Sequence, residues 1–74
     1  MSLFASKYRN IGLKIAYYRK LKNLTQVELA EKVGISSKYL SRIETGATSG
    51  AALDIYFKIC LELGVNFEDL TKDS

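Results

Sequence analysis

Five outward-facing side chains within one short stretch carry the chemistry of this 74-residue chain: Ser37, Lys38, Tyr39, Ser41 and Arg42. Hydroxyls, two cations and an aromatic ring suit hydrogen bonding and charge pairing with a polar partner rather than bond making. The rest of the inventory points the same way. There is no histidine, the commonest general base, and a single cysteine makes neither a zinc site nor an internal disulfide. No glycine-rich phosphate loop is present. Cys60 falls on the buried side of a helix, where a thiol behaves as a small hydrophobe. Glu68 and Asp69 are adjacent in a capping turn and serve a helix end. The chain is therefore expected not to be an enzyme and to use no cofactor and no metal.

The elements that position the five side chains are legible from capping signals. Thr25 precedes Glu28 by three residues, the reciprocal pairing in which each side chain satisfies an amide of a helix's first turn. Leu29, Ala30 and Val33 then share one face at helical spacing. Gly34 stands where that helix must stop, and Ser36 caps the next, which buries Leu40 and Ile43 and ends at Thr45-Gly46. Two short amphipathic helices joined by a tight turn follow from this pattern, one from about Gln26 to Val33 and the other from about Ser37 to Glu44.

This layout resembles the helix-turn-helix of the phage-repressor (Cro-like, xenobiotic-response-element) family of DNA-binding domains. The matching residues are Gln26, Leu29-Ala30, Gly34, Ile35, Leu40-Ser41, Ile43-Glu44 and Gly46. Upstream, Ile11, Ile15 and Arg19 fall at the offsets of the family's first helix. Downstream, residues 53–70 look like its last two helices. The resemblance implies a compact all-α fold of five helices and no sheet, with the second and third forming the helix-turn-helix. It implies double-stranded DNA as partner, with the third helix in the major groove. Ser37, Lys38, Ser41 and Arg42 then match base-reading positions. Gln26, at the first turn of the second helix, matches a phosphate contact, and Ser36, Tyr39 and Thr45 are assigned to the DNA backbone. Tyr39 could equally shield its own helix. The family also pairs an arginine of the first helix with the glutamate ending the third, here Arg19 and Glu44. Departures lie ahead of the fourth helix. Ala51 replaces a frequent proline and Ala52 a small polar cap, so Ser49 is the alternative cap. The preceding loop lacks basic residues and leaves Thr45, Thr48 and backbone amides for phosphates.

The remaining periodicity extends this reading. A first helix is expected from about Tyr8, or somewhat earlier, to Lys22, with Ile11, Ile15 and Tyr18 inward and Asn23 breaking it. A fourth runs from about Ala51 to Leu63, with Leu53, Tyr56, Ile59, Cys60 and Leu63 inward and Gly64 closing it. Asn66 caps a last turn through Leu70. The domain then spans 8–70, after an arm over 1–7 whose first three residues fit a vector-derived start, and before a frayed 71–74. A chain this short makes one small domain that buries about 60% of its unfolded surface.

Charge is unevenly spread: residues 1–24 carry +6, residues 25–50 are neutral, and residues 51–74 carry −3. A basic front and acidic rear suit a polyanion approached from one side, and Lys7, Lys14, Lys20 and Lys22 add diffuse attraction. No apolar run approaches a membrane span and no signal peptide is apparent, so a cytoplasmic location and no membrane partner are expected.

Apolar residues exceed what one small bundle needs. Leu13, Tyr17 and Leu21 form an i, i+4, i+8 stripe, and Phe57 and Leu61 begin another, with Val65 and Phe67 beyond. Either an arm (Leu3, Phe4, Tyr8) covers the first stripe, or the chain is a homodimer, with Leu61, Val65 and Phe67 the favoured interface. The expectation is thus a sequence-specific regulator acting as a dimer on a pseudo-palindromic operator. The alternative is a protein-interaction module, such as an antitoxin, that binds a protein partner.

Overall fold

Nothing in the opening residues breaks a helix, since neither proline nor glycine occurs before Gly12. The computed structural model, which describes residues 3–48 and 50–72, accordingly starts α1 at Leu3 and carries it to Leu21. The segment expected as an arm is the first turns of α1, with Phe4 exposed, so it does not fold over the Leu13 stripe. Asn23 ends α1 at φ 57°, a left-handed conformation that its short polar side chain tolerates. The Leu24 N–H then closes on the Arg19 carbonyl at 3.1 Å.

Four shorter helices follow: α2 Gln26–Val33, α3 Ser37–Thr45, α4 Leu53–Leu63 and α5 Phe67–Thr71. There is no strand among the described residues. The bounds of α2 match the sequence reading because their signals are realised. Thr25 Oγ1 accepts from the Glu28 N–H at 3.1 Å, and Glu28 Oε1 accepts from the Thr25 N–H at 2.8 Å. Gly34 closes the helix in the left-handed region. That reciprocal bonding holds the Glu28 carboxyl below its ordinary pKa: the Thr25 backbone N–H dominates, followed by the Thr25 side chain.

The start of α4 shows what happens where the capping signal is weak. Ala52 is the N-cap and makes no side-chain bond; instead the Ala51 N–H donates to the Tyr56 hydroxyl at 3.3 Å. Burial pushes the Tyr56 phenol above its ordinary pKa. The alternative cap, Ser49, lies outside the described residues. Because α4 begins at Leu53, that side chain sits at the helix edge and is exposed, not inward as expected. At the other end α5 reaches Thr71, past the expected boundary, and the Lys72 N–H still bonds the Glu68 carbonyl at 2.9 Å. Asp73 and Ser74, expected to fray, lie outside the described residues.

The core is one cluster to which every helix contributes. Ile15, Leu29, Leu40, Ile59, Leu63 and Leu70 are fully enclosed, and Ala30, Val33, Ile43, Tyr56 and Cys60 complete it. Ile11 and Tyr18, expected inward on α1, pack against this cluster while partly exposed. α1 and the end of α3 approach each other closely. A Cβ on Gly12 would collide with the Ile43 carbonyl oxygen and stand 2.6 Å from that of Glu44. Only a residue without a side chain lets the end of α3 lie this near α1.

Candidate nucleic-acid interface

The outward arc of α3 is built by what the rest of the helix buries. Leu40, Ile43 and Glu44 turn inward, which leaves Ser37, Lys38, Ser41, Arg42 and Thr45 on an arc of about 140° at 100° per residue. Lys38 and Arg42 are exposed one turn apart; Ser37 and Ser41 are half-buried beside them. Ser36 Oγ accepts from the Tyr39 N–H at 3.0 Å, which caps the helix and leaves the Ser36 hydroxyl proton to donate elsewhere. Thr45 differs: its hydroxyl already donates back to the Ser41 carbonyl at 3.1 Å. Tyr39 packs partly buried against the core.

Beneath the arc lies a buried ionic cluster. Arg19 Nε donates to Glu44 Oε2 at 2.8 Å and Nη2 to Oε1 at 3.1 Å, while Nη1 donates to the Leu24 carbonyl at 2.8 Å. The two side chains are only 10% and 4% exposed. The two-pronged pairing joins α1 to the last turn of α3, where a carboxylate would otherwise oppose the helix dipole. Gln26 adds a third helix: its amide donates to Glu44 Oε1 at 3.0 Å. The sequence reading assigned Gln26 to a phosphate. The structure gives one of its amide protons an internal partner and leaves the other.

Two further cations are placed in ways the sequence did not reveal. Arg9 stands where α1 passes the end of α3, on the rim of a shallow cleft of about 230 Å³ lined also by Ala5, Ser6, Thr45 and Gly46. A Cβ on Gly46 would come within 2.9 Å of the Arg9 Cα, so this second glycine fixes that approach. Lys22 points elsewhere: its ammonium lies beside Gly64, at the carbonyl end of α4, where a cation complements the helix dipole.

Burial pushes the Cys60 thiol above its ordinary pKa, with Asp69 adding to the effect. Among the described residues no cluster of His, Cys, Asp or Glu could hold a metal ion, and no helix is long and apolar enough to cross a membrane.

A profile of the helix-turn-helix family matches residues 15–70, from the middle of α1 to the end of the core. The chain belongs to this family. The helix-turn-helix chain is 44% identical over 57 residues to the uncharacterized transcriptional regulator MJ0272 of Methanocaldococcus jannaschii, covering 77% of this chain and 85% of that one. It is 42% identical over 60 residues to the antitoxin PezA of Streptococcus pneumoniae, covering 81% of this chain but only 37% of PezA. A crystal structure of SinR, a master regulator for biofilm formation, in complex with DNA superposes with a TM-score of 0.78 at 35% identity. That match covers 84% of this chain and 98% of the SinR chain. SinR thus shares both sequence and fold with this chain.

Proposed function

We propose that this helix-turn-helix chain is a regulator of transcription that recognises a specific sequence of double-stranded DNA with α3. The observation that carries the reading is the outward arc of α3. Apart from the Thr45 hydroxyl, its cations and hydroxyls make no described side-chain bond within the chain, while the helix is fixed from beneath by a buried ion pair. The likeness to SinR, solved with DNA, supports it. In the major groove Arg42 suits guanine, whose O6 and N7 accept side by side, and Lys38 acts more as a point charge. Ser37 and Ser41 bond to bases or phosphates with little preference. The second amide proton of Gln26 and the hydroxyl of Ser36 go to phosphates, and Arg9 adds a charge beside the end of α3. Thr45 contributes only by giving up its bond to Ser41.

One domain offers few contacts, whereas specific regulators bind with dissociation constants of about 10⁻⁸ M or tighter, so two copies act together on one site. Of the interface expected at Leu61, Val65 and Phe67, only Leu61 projects fully. Val65 and Phe67 pack against the core, and the Phe67 ring meets Phe57 at 5.5 Å. Selection of bound duplexes from a random pool, followed by salt titration, tests the function. A consensus site should emerge, and affinity should fall steeply with salt, with a slope near −0.9 per phosphate contact. The similarity to PezA favours a second reading in which the chain serves a protein partner. Salt-insensitive or undetectable DNA binding would select it.

A further inference from the structure

The turns of α1 that precede Ile15 lie outside the family match, which begins at that residue, yet they border the end of α3. Ser6, Arg9 and Gly12 follow one another at three-residue spacing, so they run along one side of the helix. Gly12 seats α1 on the Ile43 and Glu44 carbonyls, and one turn earlier the Arg9 backbone meets Gly46. Ser6, a turn earlier again, joins Arg9 on the rim of the shallow cleft that Thr45 and Gly46 close from the other side. Tyr8 extends the contact along the loop: a Cβ on Gly50 would come 3.0 Å from its hydroxyl. The early turns of α1 thus border the segment after α3 at Gly46 and again at Gly50.

That segment has no cation of its own. Between Arg42 and Lys58 the sequence contains neither lysine nor arginine. Arg9 brings the missing charge: it is exposed, makes no described side-chain bond, and no acid precedes Glu28 in the sequence. Glu44, the acid beside Thr45, is already held by Arg19 and Gln26. Ser6 is also exposed, and its hydroxyl makes no described bond, whereas the Thr45 hydroxyl proton goes to the Ser41 carbonyl. The cleft therefore offers a planar fork of N–H donors and one hydroxyl donor, with no acidic side chain in its lining. Such a set matches phosphate oxygens, which accept in pairs. It suits bases less well, since base edges are reached from the first turns of a recognition helix and backbone contacts are mounted around it.

We propose that Arg9 and Ser6 bind one phosphate of the DNA backbone beside the end of α3, in place of the cations that the following loop lacks. The proposal rests on the reading of α3 as the DNA-recognition helix and adds a contact from turns that the family match does not include. α1 is unbroken from Leu3 to Leu21 and seated on α3 through Gly12, so Arg9 is fixed relative to the reading helix in a way that a loop residue is not. The contact carries no sequence information. It sets the register in which Lys38 and Arg42 meet the bases.

The test compares the full chain with Arg9→Gln by fluorescence anisotropy, on a duplex selected by wild type and on random duplex. Both proteins should melt at the same temperature by circular dichroism, since Arg9 is exposed. Arg9→Gln should bind both duplexes more weakly by the same factor and keep the same consensus. Between about 50 and 200 mM salt, wild type should lose about 3.5-fold more affinity than the variant, the effect of one phosphate at a slope of about 0.9. Arg9→Lys, which keeps the charge, should keep the wild-type slope. Duplexes with a single uncharged methylphosphonate, placed at each position in turn, locate the contact. Wild type should weaken at one position to which Arg9→Gln is indifferent, and Ser6→Ala should respond less there than wild type. An unchanged salt slope and methylphosphonate profile in Arg9→Gln would overturn the proposal, while wild-type binding to the selected duplex left the reading of α3 standing. A loss confined to one base pair would make Arg9 a base reader and overturn it too. A wild type that binds no duplex would remove both readings together.

Discussion

Replacing Arg19 with alanine should damage the fold more than any change on the DNA-facing arc. The substitution removes three hydrogen bonds, two to Glu44 and one to the Leu24 carbonyl. It leaves the Glu44 carboxylate 5% exposed, with the Gln26 amide as its remaining described side-chain partner. Stranding one member of a buried pair costs roughly 3–5 kcal/mol. At 0.05–0.15 kcal/mol per residue, a 74-residue domain has a total stability of roughly 4–11 kcal/mol. Arg19→Ala therefore consumes about a quarter or more of the margin and should lower the melting temperature by about 12–40 °C, taking 4–8 °C per kcal/mol for a domain of this size. Thermal unfolding followed by circular dichroism reads this directly. Arg19→Lys should fall between, since an ammonium keeps the charge but loses the planar fork. The double variant Arg19→Met/Glu44→Leu should recover much of the loss, because no charge is left stranded. A melting point within a few degrees of wild type for Arg19→Ala, with DNA binding lost, would refute the reasoning and make Arg19 a direct DNA ligand.

Lys38→Ala and Arg42→Ala should each weaken a selected site by roughly 1–3 kcal/mol and relax preference at particular base pairs, with melting unchanged. Equal losses on selected and random duplex, measured by fluorescence anisotropy, would reduce both to phosphate contacts. Gly12→Ala should destabilise by roughly 1–3 kcal/mol, the scale of overpacking, although alanine in place of a helical glycine ordinarily gains about 1 kcal/mol; the urea midpoint gives the sign. The Glu28 carboxyl has a lowered pKa in the folded chain, so its contribution is present above the unfolded value of about 4.3 and is lost as pH falls through the folded value. Chemical denaturation between about pH 5 and pH 3 should thus show a flatter pH dependence in Glu28→Gln than in wild type.

The parts of this molecule that could be read from its sequence are those whose signals are local. Thr25, Glu28, Gly34, Ser36 and Gly46 act on amides and carbonyls within a few residues of themselves, so both helices of the recognition motif and the turn between them were legible. The start of α1 was less so: periodicity placed it at about Tyr8 or somewhat earlier, whereas the helix already runs from Leu3. Gly12 passed without notice in the middle of a helix, since its reason lies some thirty residues away in the carbonyls of Ile43 and Glu44. Gln26 shows a different limit. An amide serves a carboxylate as well as a phosphate, and only the three-dimensional position of Glu44 shows that one proton is already spent. Val65 and Phe67 read as surplus, yet both pack against the core, where the Phe67 ring meets those of Tyr56 and Phe57.

The ionic cluster under α3 also separates two duties that many proteins ask of the same residues. Arg19 and Glu44 orient the helix from below, whereas Ser37, Lys38 and Arg42 make no described side-chain bond inside the chain. What the helix says to its partner is therefore uncoupled from how it is held. Substitutions across the outward arc should be nearly silent in folding, so this scaffold can be retargeted: libraries varying positions 37, 38, 41 and 42 together should yield mostly folded proteins with altered site preference. Over mutational time the same uncoupling lets a lineage change the sites it recognises without crossing a barrier of unfolded intermediates.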